Sequence, residues 1–438
     1  MTMARTQGEF FRLRDEPDFA RFWTGQSISL IGSEITSMAI PVIAILSLGA
    51  GALDQGVLFF CQFLPALLFG LHFGTLIDRF AKRSLLVYCD LARMVLLLAI
   101  AVLHVLDALS IAALVVIAFL VGTFSVLSAI CGQAYVPDLL RDNRLLDGNT
   151  KLQKVTTFAE VSGGSLAGAL VQALTAPFAV IVDAVSYAVS ACFISRVRLP
   201  GRAPDTEVHE KPQIWEGLRF VLRGAKLRAI TLCAATSNFF SAMMVSLYLL
   251  FVMDGLGLSP LLAGLLLSAA SCTALVTGFL TSRVTARLGV SGALVAGQAV
   301  MAAGCLILPF AQGPLPLVSV YLVASHGIFV IGMIVFSTTQ LTYRQQVTPA
   351  RMQGRVHAGN YVITYGAYAL GAMAGGLAGE WIGIRPTLVI GALGHILAAA
   401  WLLPRRVRIT AEDGPATGPE RRPDGGDEDE SRGDFVHP

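Results

Sequence analysis

Charge is scarce in this chain. Only 14% of its 438 residues are Asp, Glu, Lys or Arg, where an average soluble domain carries about 25%. That shortage excludes a disordered chain and argues against a water-soluble multidomain protein. Cysteine is sparse as well. The seven present all fall inside apolar runs, without CxxC spacing or a partnered histidine, so neither a zinc site nor a disulfide framework is indicated. No HExxH, P-loop, GxSxG or EF-hand pattern occurs, which removes the usual hydrolytic constellations, a direct use of ATP and any expected cofactor. A net charge of +3 is too small to point to nucleic acid.

What is present is grease. Apolar residues make up 55% of the chain, and the mean hydropathy is +0.67. A bilayer crossing takes ~20 apolar residues, and stretches of that kind lie near 23–47, 56–77, 84–106, 110–132, 152–174 and 177–195. A second series lies near 229–253, 260–281, 291–310, 316–339, 358–379 and 384–403. The expected fold is therefore an all-α membrane protein of twelve transmembrane helices in two six-helix bundles. The expected blocks are an amphipathic N-terminus (1–22), a first bundle (23–195), a linker (196–228), a second bundle (229–403) and a disordered acidic tail (404–438). The N-terminus does not read as a cleavable signal, because its apolar run is too long.

Charge placement tests this map. With the N-terminus assigned to the cytoplasm and the joints alternating, thirty of the 32 Lys and Arg residues fall on one side. Cytoplasmic loops concentrate such residues. Arg385 alone lies in an opposite joint, and Arg93 lies within a span. The expectation is a multi-pass protein of the plasma or inner membrane, with both ends cytoplasmic, surrounded by lipid and monomeric. Residues 214–227 are amphipathic and suit the membrane surface.

The halves echo each other. Gly74-x-x-x-Asp78-Arg79-x-x-Lys82-Arg83 follows span two, and Gly278-x-x-x-Ser282-Arg283-x-x-x-Arg287 follows span eight. Two six-span repeats are the layout of an alternating-access transporter. The first of these joints resembles the signature of the major facilitator superfamily, with Ala81 where glycine is usual. The stretches 19–26 (FARFWTGQ), 29–33 (SLIGS), Asp90-Leu-Ala-Arg93, Asp183-Ala-Val-Ser-Tyr187 and Gly354-Arg-Val-His-Ala358 resemble, more narrowly, the branch containing the enterobactin exporter and macrolide-efflux proteins. The resemblance implies export of a small molecule. Two features depart from the drug exporters it brings in: span four has no arginine, and Gly163-Gly164 stands where Gly-Pro is usual.

The candidate residues follow from polarity in an apolar setting. Charges at mid-bilayer are costly and normally face the bundle interior. Glu34, about 16 Å into span one, and Glu160 are candidates for proton coupling, since removal from water favours the neutral acid. Asp90 and Arg93, three apart, can pair on one helix face. Together with Gly74, Asp78, Arg79, Lys82 and Arg83 they form a candidate gate, its cations expected to meet anionic headgroups. Tyr361, Tyr365 and Tyr368 share one helix face, and with Gln62, Asn238, Tyr248, Gln298, Tyr321 and His326 they are candidates to line a substrate cavity. Packing is the competing role for each of them. Gly70 and Gly74 on span two, Gly164 and Gly168 on span five, and Gly371, Gly375 and Gly379 on span eleven are expected to permit close helix packing.

These features point to a secondary transporter exporting amphipathic molecules in exchange for protons. An uptake permease, or a transport-inactive sensor or scaffold acting through its tail, are the alternatives. The topology is directly testable. In a cysteine-less background, Ala108→Cys should react with an impermeant maleimide added outside intact cells, and Ser431→Cys only after permeabilisation. Labelling of both from the same side would refute the span count.

Overall fold

The computed structural model describes residues 16–77, 79–140, 144–198, 214–349 and 352–403. Asp78, Arg141 and Arg351, the first fifteen residues, linker positions 199–213 and the expected tail lie outside the described residues. The helices are α1 (Pro17–Leu48), α2 (Ala52–Ile77), α3 (Lys82–Val105), α4 (Ile111–Leu139), α5 (Leu145–Leu174) and α6 (Ala176–Ser195). They continue with α7 (Ile214–Arg223), α8 (Ala225–Leu250), α9 (Pro260–Ser271), α10 (Thr273–Ile307), α11 (Leu315–Val347), α12 (Gln353–Ile382) and α13 (Ile384–Ala399).

Eleven described segments are long and apolar enough to cross a membrane. The twelfth span is α5, thirty residues long but carrying Thr156, Thr157, Glu160, Ser162 and Ser165 among its apolar positions. These polar residues lower its mean hydropathy below that of the other spans. The chain is thus an all-α protein of twelve membrane helices in two pseudo-symmetric bundles. The eighth and ninth spans differ from expectation at their joint. Instead of a loop, a single residue of α10, Gly289, breaks the helix there, with φ 68° and ψ 176°, and span eight is itself divided at Cys272, where α9 passes into α10. The ten-residue α7 packs against α12 and α8, with Arg355 of α12 paired to Glu216.

Pairing follows the same rule in both halves. In the first, α1 packs on α6, α3 on α6, α2 on α4 and α1 on α5; in the second, α8 packs on α13, α10 on α13, α9 on α11 and α8 on α12. The halves meet through α2 against α12 and α5 against α9, the same pair of positions exchanged. Backbone conformation repeats with the helices. Gly49 and Gly257 adopt φ 64° and 70°, and Thr175 and Gly383 adopt φ 69° and 90°; each pair is separated by 208 positions. All four residues sit in the short joints opposite the basic face.

Glycine decides how closely the halves approach. Gly56 of α2 lies against Gly376 of α12, where a Cβ would stand 2.5 Å from the Gly376 Cα. Gly164 and Gly168 of α5 lie against Gly264, Pro260 and Leu261 of α9, again with no room for a Cβ. Without side chains between them, the helix backbones come into direct van der Waals contact. Both contacts sit within about two or three turns of the far-face helix ends.

The expected close packing at Gly70 and Gly74 is corrected, and that at Gly371 and Gly375 is made within one half. Gly70 meets only a methyl of Val362, and Gly74 has open space. Gly371 and Gly375 pack on Phe239 and Met243 of α8 within their own half, while Gly379 meets both Ala52 and Leu247. The reason is helical: residues 371 and 375 share one face of α12, and 376 lies 100° round from 375, on the face turned to α2.

Thr175 carries the backbone strain. Its φ of 69° with ψ 156° is a region essentially reserved for glycine, costing about 1–3 kcal/mol, and the equivalent position 383 is glycine. Thr175→Gly should raise the thermal unfolding midpoint of the purified protein, and Gly383→Thr should lower it. Equal midpoints would show that the turns do not govern stability.

Candidate transport site

The residues singled out by polarity fall into four places. The first is the seam between the halves. The Glu34 side chain of α1 lies directly over Gly163 of α5, and Glu160 stands one turn along the same α5 face, three residues away. The two carboxylates are close enough to interact electrostatically, and Glu160 likewise senses Tyr365 of α12. Glu34 is half-buried and Glu160 exposed. Beside them the aromatic stripe of α12 faces α2. Tyr361 and Tyr365 stack with ring centroids 4.2 Å apart, and Phe63 of α2 meets Tyr368 edge-on at 4.8 Å and Tyr365 at 6.3 Å. Gln62 is half-buried next to Phe63. Asn238 donates Nδ2 to the Thr364 carbonyl at 3.2 Å, tying α8 to α12.

The second place lies in the other half. Tyr248 and His326 line one pocket of about 80 Å³, with Cys305 and Ser325. Tyr321, partly buried, packs against the main apolar core. The third is closed. Gln298 is not on a cavity wall: it is fully buried, accepting from Ser237 at 3.2 Å and donating to the His395 carbonyl at 2.9 Å. Ser237 and Ser241 bond the two ring nitrogens of His395. A buried amide must find partners inside the protein, and α8 and α13 supply them. Sequence pattern missed His395 because a lone histidine in an apolar run carries no spacing signal.

The fourth is the gate region, which splits. Lys82 donates to Asp138 and to the Ala134 carbonyl, both at 2.9 Å, and Arg83 donates to the Val197 carbonyl at 2.8 Å. Both also have protein partners, Lys82 because the end of α4 brings Asp138 to the joint; Arg79 remains exposed. Asp90 and Arg93 lie deeper. Arg93 donates to Asp90 at 2.5 Å and to Ser128 of α4 at 3.2 Å, and stands 4.1 Å over the Tyr187 ring. The Tyr187 hydroxyl bonds Ser33 of α1 at 2.9 Å. Asp183, one turn away on α6, accepts from Thr36 and Ser186. Four helices of the first half are thus joined by one buried polar network, directly behind the Glu34 face of α1. A recess of about 750 Å³ lies elsewhere, at the basic face beneath α7.

Twelve spans, a two-fold exchange of contacts and a polar seam describe a known architecture, and a family model decides it. The model described as "Major Facilitator Superfamily" matches residues 22–367 and, overlapping, 232–426. This chain belongs to the Major Facilitator Superfamily. It is a multi-pass membrane transporter of that type. A curated relative, the "Uncharacterized MFS-type transporter YfiS" of Bacillus subtilis (strain 168), is 24% identical over 90% of this chain and 94% of its own length. Among solved structures, a bacterial homologue of the iron transporter ferroportin in its inward-facing state is similar, with a TM-score of 0.70 at 16% identity over 90% of this chain and 99% of that one. A bacterial homologue of the lysosomal transporter Spinster, inward-facing and occupied, gives 0.71 at 15% over 92% and 99%. The nucleoside transporter NupG gives 0.71 at 11% over 90% and 100%. These neighbours share the superfamily fold.

The buried pair makes a stability prediction for this transporter. Removing one partner of a buried ion pair leaves an uncompensated charge and costs ~3–5 kcal/mol. Arg93→Ala should therefore lower the detergent unfolding midpoint severely, and the double variant Asp90→Ala/Arg93→Ala should lower it less. A double variant worse than the single one would show that the charges are not balancing each other.

Proposed function

We propose that this transporter exports amphipathic neutral or cationic organic molecules across the plasma or inner membrane, in exchange for protons, as a monomer with both ends cytoplasmic. One observation carries the reading: the Glu34 side chain lies over Gly163, one turn from Glu160 and within its electrostatic reach, with Tyr365 of the other half within reach of Glu160. Carboxylates attract a cation or take a proton, and aromatic faces bind organic cations, so substrate and proton compete for one site. That competition is antiport.

The close contacts support an inward-open resting form. Gly56–Gly376 and the α5–α9 contact seal the far face, whereas Glu160, nearer the basic face, is exposed. The outward-facing form of the ferroportin homologue agrees less well with this chain, at a TM-score of 0.57. Among the described residues no three His, Cys, Asp or Glu side chains gather as a metal site, which favours an organic cargo over a metal ion. The sequence resemblance to the enterobactin-exporter and macrolide-efflux branch supports export over uptake. Under this reading Tyr361, Tyr368, Gln62 and Asn238 border the cargo site, and Tyr248, Tyr321 and His326 shape the second half around it. The Lys82–Asp138 pair and the Arg83–Val197 bond serve the gate, with Asp78 and Arg79.

In cells, Glu34→Gln should raise accumulation of a lipophilic cationic dye to the level of cells lacking the protein. In proteoliposomes, efflux of that dye should lose its dependence on an imposed pH gradient, falling about tenfold, the equivalent of ~1.4 kcal/mol. Full gradient-driven efflux by both Glu34→Gln and Glu160→Gln would overturn the antiport reading. A fall in dye accumulation on deleting the protein would assign uptake instead.

A further inference from the structure

Where the last turn of α11 meets the first turns of α12, an arginine is buried without a counter-charge among the described residues. Arg344 is only 7% exposed. Three half-buried cations on this face have acids: Lys82 has Asp138, Arg144 has Glu16, and Arg21 has Asp18. The ion pairs among the described residues do not include Arg344. Its Nη2 donates to Nδ1 of His357 at 3.2 Å, a bond that requires a lone pair on that nitrogen and so a neutral ring at that position.

The guanidinium borders a cavity of about 170 Å³, whose polar walls are Arg344, Gln345, Thr348, Gln353 and His357. No acid lines it among the described residues. At ~30 Å³ per water, the space holds about five waters, enough for a tetrahedral oxyanion. The thirty-residue helix α12 begins here at Gln353, and the partial positive charge of a helix start favours an anion. A guanidinium fork and two side-chain amides match the oxygens of a phosphate better than a point charge does. The cavity also lies where α11 and α12 leave the apolar spans, at headgroup depth for a helix crossing the bilayer.

We propose that the Arg344 cavity is a phosphate-ester binding site at the basic face, separate from the Glu34–Glu160 seam. A phospholipid headgroup and a soluble phosphate ester offer the same chemistry. A bound phosphate supplies the charge that Arg344 lacks and ties the last turn of α11 to the start of α12, the second-half counterpart of the α4–α5 joint.

The test uses the full-length protein, purified and stripped of lipid in a maltoside detergent. In one arm glycerol 3-phosphate is titrated at constant ionic strength, with sodium chloride as reference, and the unfolding midpoint is followed. In the other, retention of phosphatidylglycerol is compared with that of the phosphate-free diacylglycerol by native mass spectrometry. The wild type should show a saturable rise in midpoint in the first arm, which assigns a soluble ester, or selective retention in the second, which assigns a headgroup. Arg344→Gln should weaken the effect about tenfold or more, as loss of a charge-assisted bidentate contact requires, with Arg344→Lys between the two. Should Arg344→Gln not fold, Gln353→Leu keeps the cation and must still weaken binding. Absence of binding in both arms overturns the proposal, as does wild-type binding by Arg344→Gln or, in its place, by Gln353→Leu.

Discussion

The rest of the molecule depends on backbone meeting backbone between the two halves. Gly56 against Gly376 and Gly164 against Gly264 leave no side chain between neighbouring helices, so the halves approach as closely as helices can. In lipid there is no hydrophobic drive to press helices together, and association rests on packing of this kind. The contacts are symmetric and lie near the far face, so each half lends one helix of the pair to the other.

Each half handles polarity differently. The first half concentrates charge: Asp90, Arg93 and Asp183 are almost wholly buried and linked through Ser33, Thr36, Ser128 and Tyr187. Buried charges at this density demand fixed partners, so α1, α3, α4 and α6 are held in register as one body. Deep between its helices the second half uses neutral groups instead, with Ser237, Ser241, Gln298 and His395 satisfying one another, and its buried Arg344 lies at the end of α11. Two internally bonded halves meeting at a carboxylate–tyrosine seam suit a machine in which rigid bodies rock. The proton is then proposed to act at the seam and not inside either body.

Much of this was legible before any coordinates. The count of spans came from apolar run length, and the strict sidedness of Lys and Arg corroborated it. Asp90 and Arg93 were legible as a pair because three-residue spacing on a helix places them together. The tyrosine stripe was legible as one face of α12 for the same reason. The partner of that face was not, since Phe63 sits about 300 residues away and has nothing but apolarity to mark it. Two of the close-approach glycines were misassigned for a related reason. Gly70 and Gly74 have the small-residue spacing, but only crossing geometry decides which turn of a helix touches its neighbour, and it selects Gly56.

Local chemistry in the sequence thus determined the helices, their number and alternation, the internal duplication and the scarcity of buried charge, because each depends on residues near one another in the chain. Tertiary structure alone decided which polar groups share a space: Glu34 with Glu160, Gln298 with His395, Lys82 with Asp138, and Arg344 with His357 beside an acid-free cavity. Three of these four pairs join helices distant in sequence, and even Arg344 and His357 meet only because α12 folds back on α11. The packing angle of one helix on another is set by the sum of many small contacts, and no spacing rule along a single helix contains it.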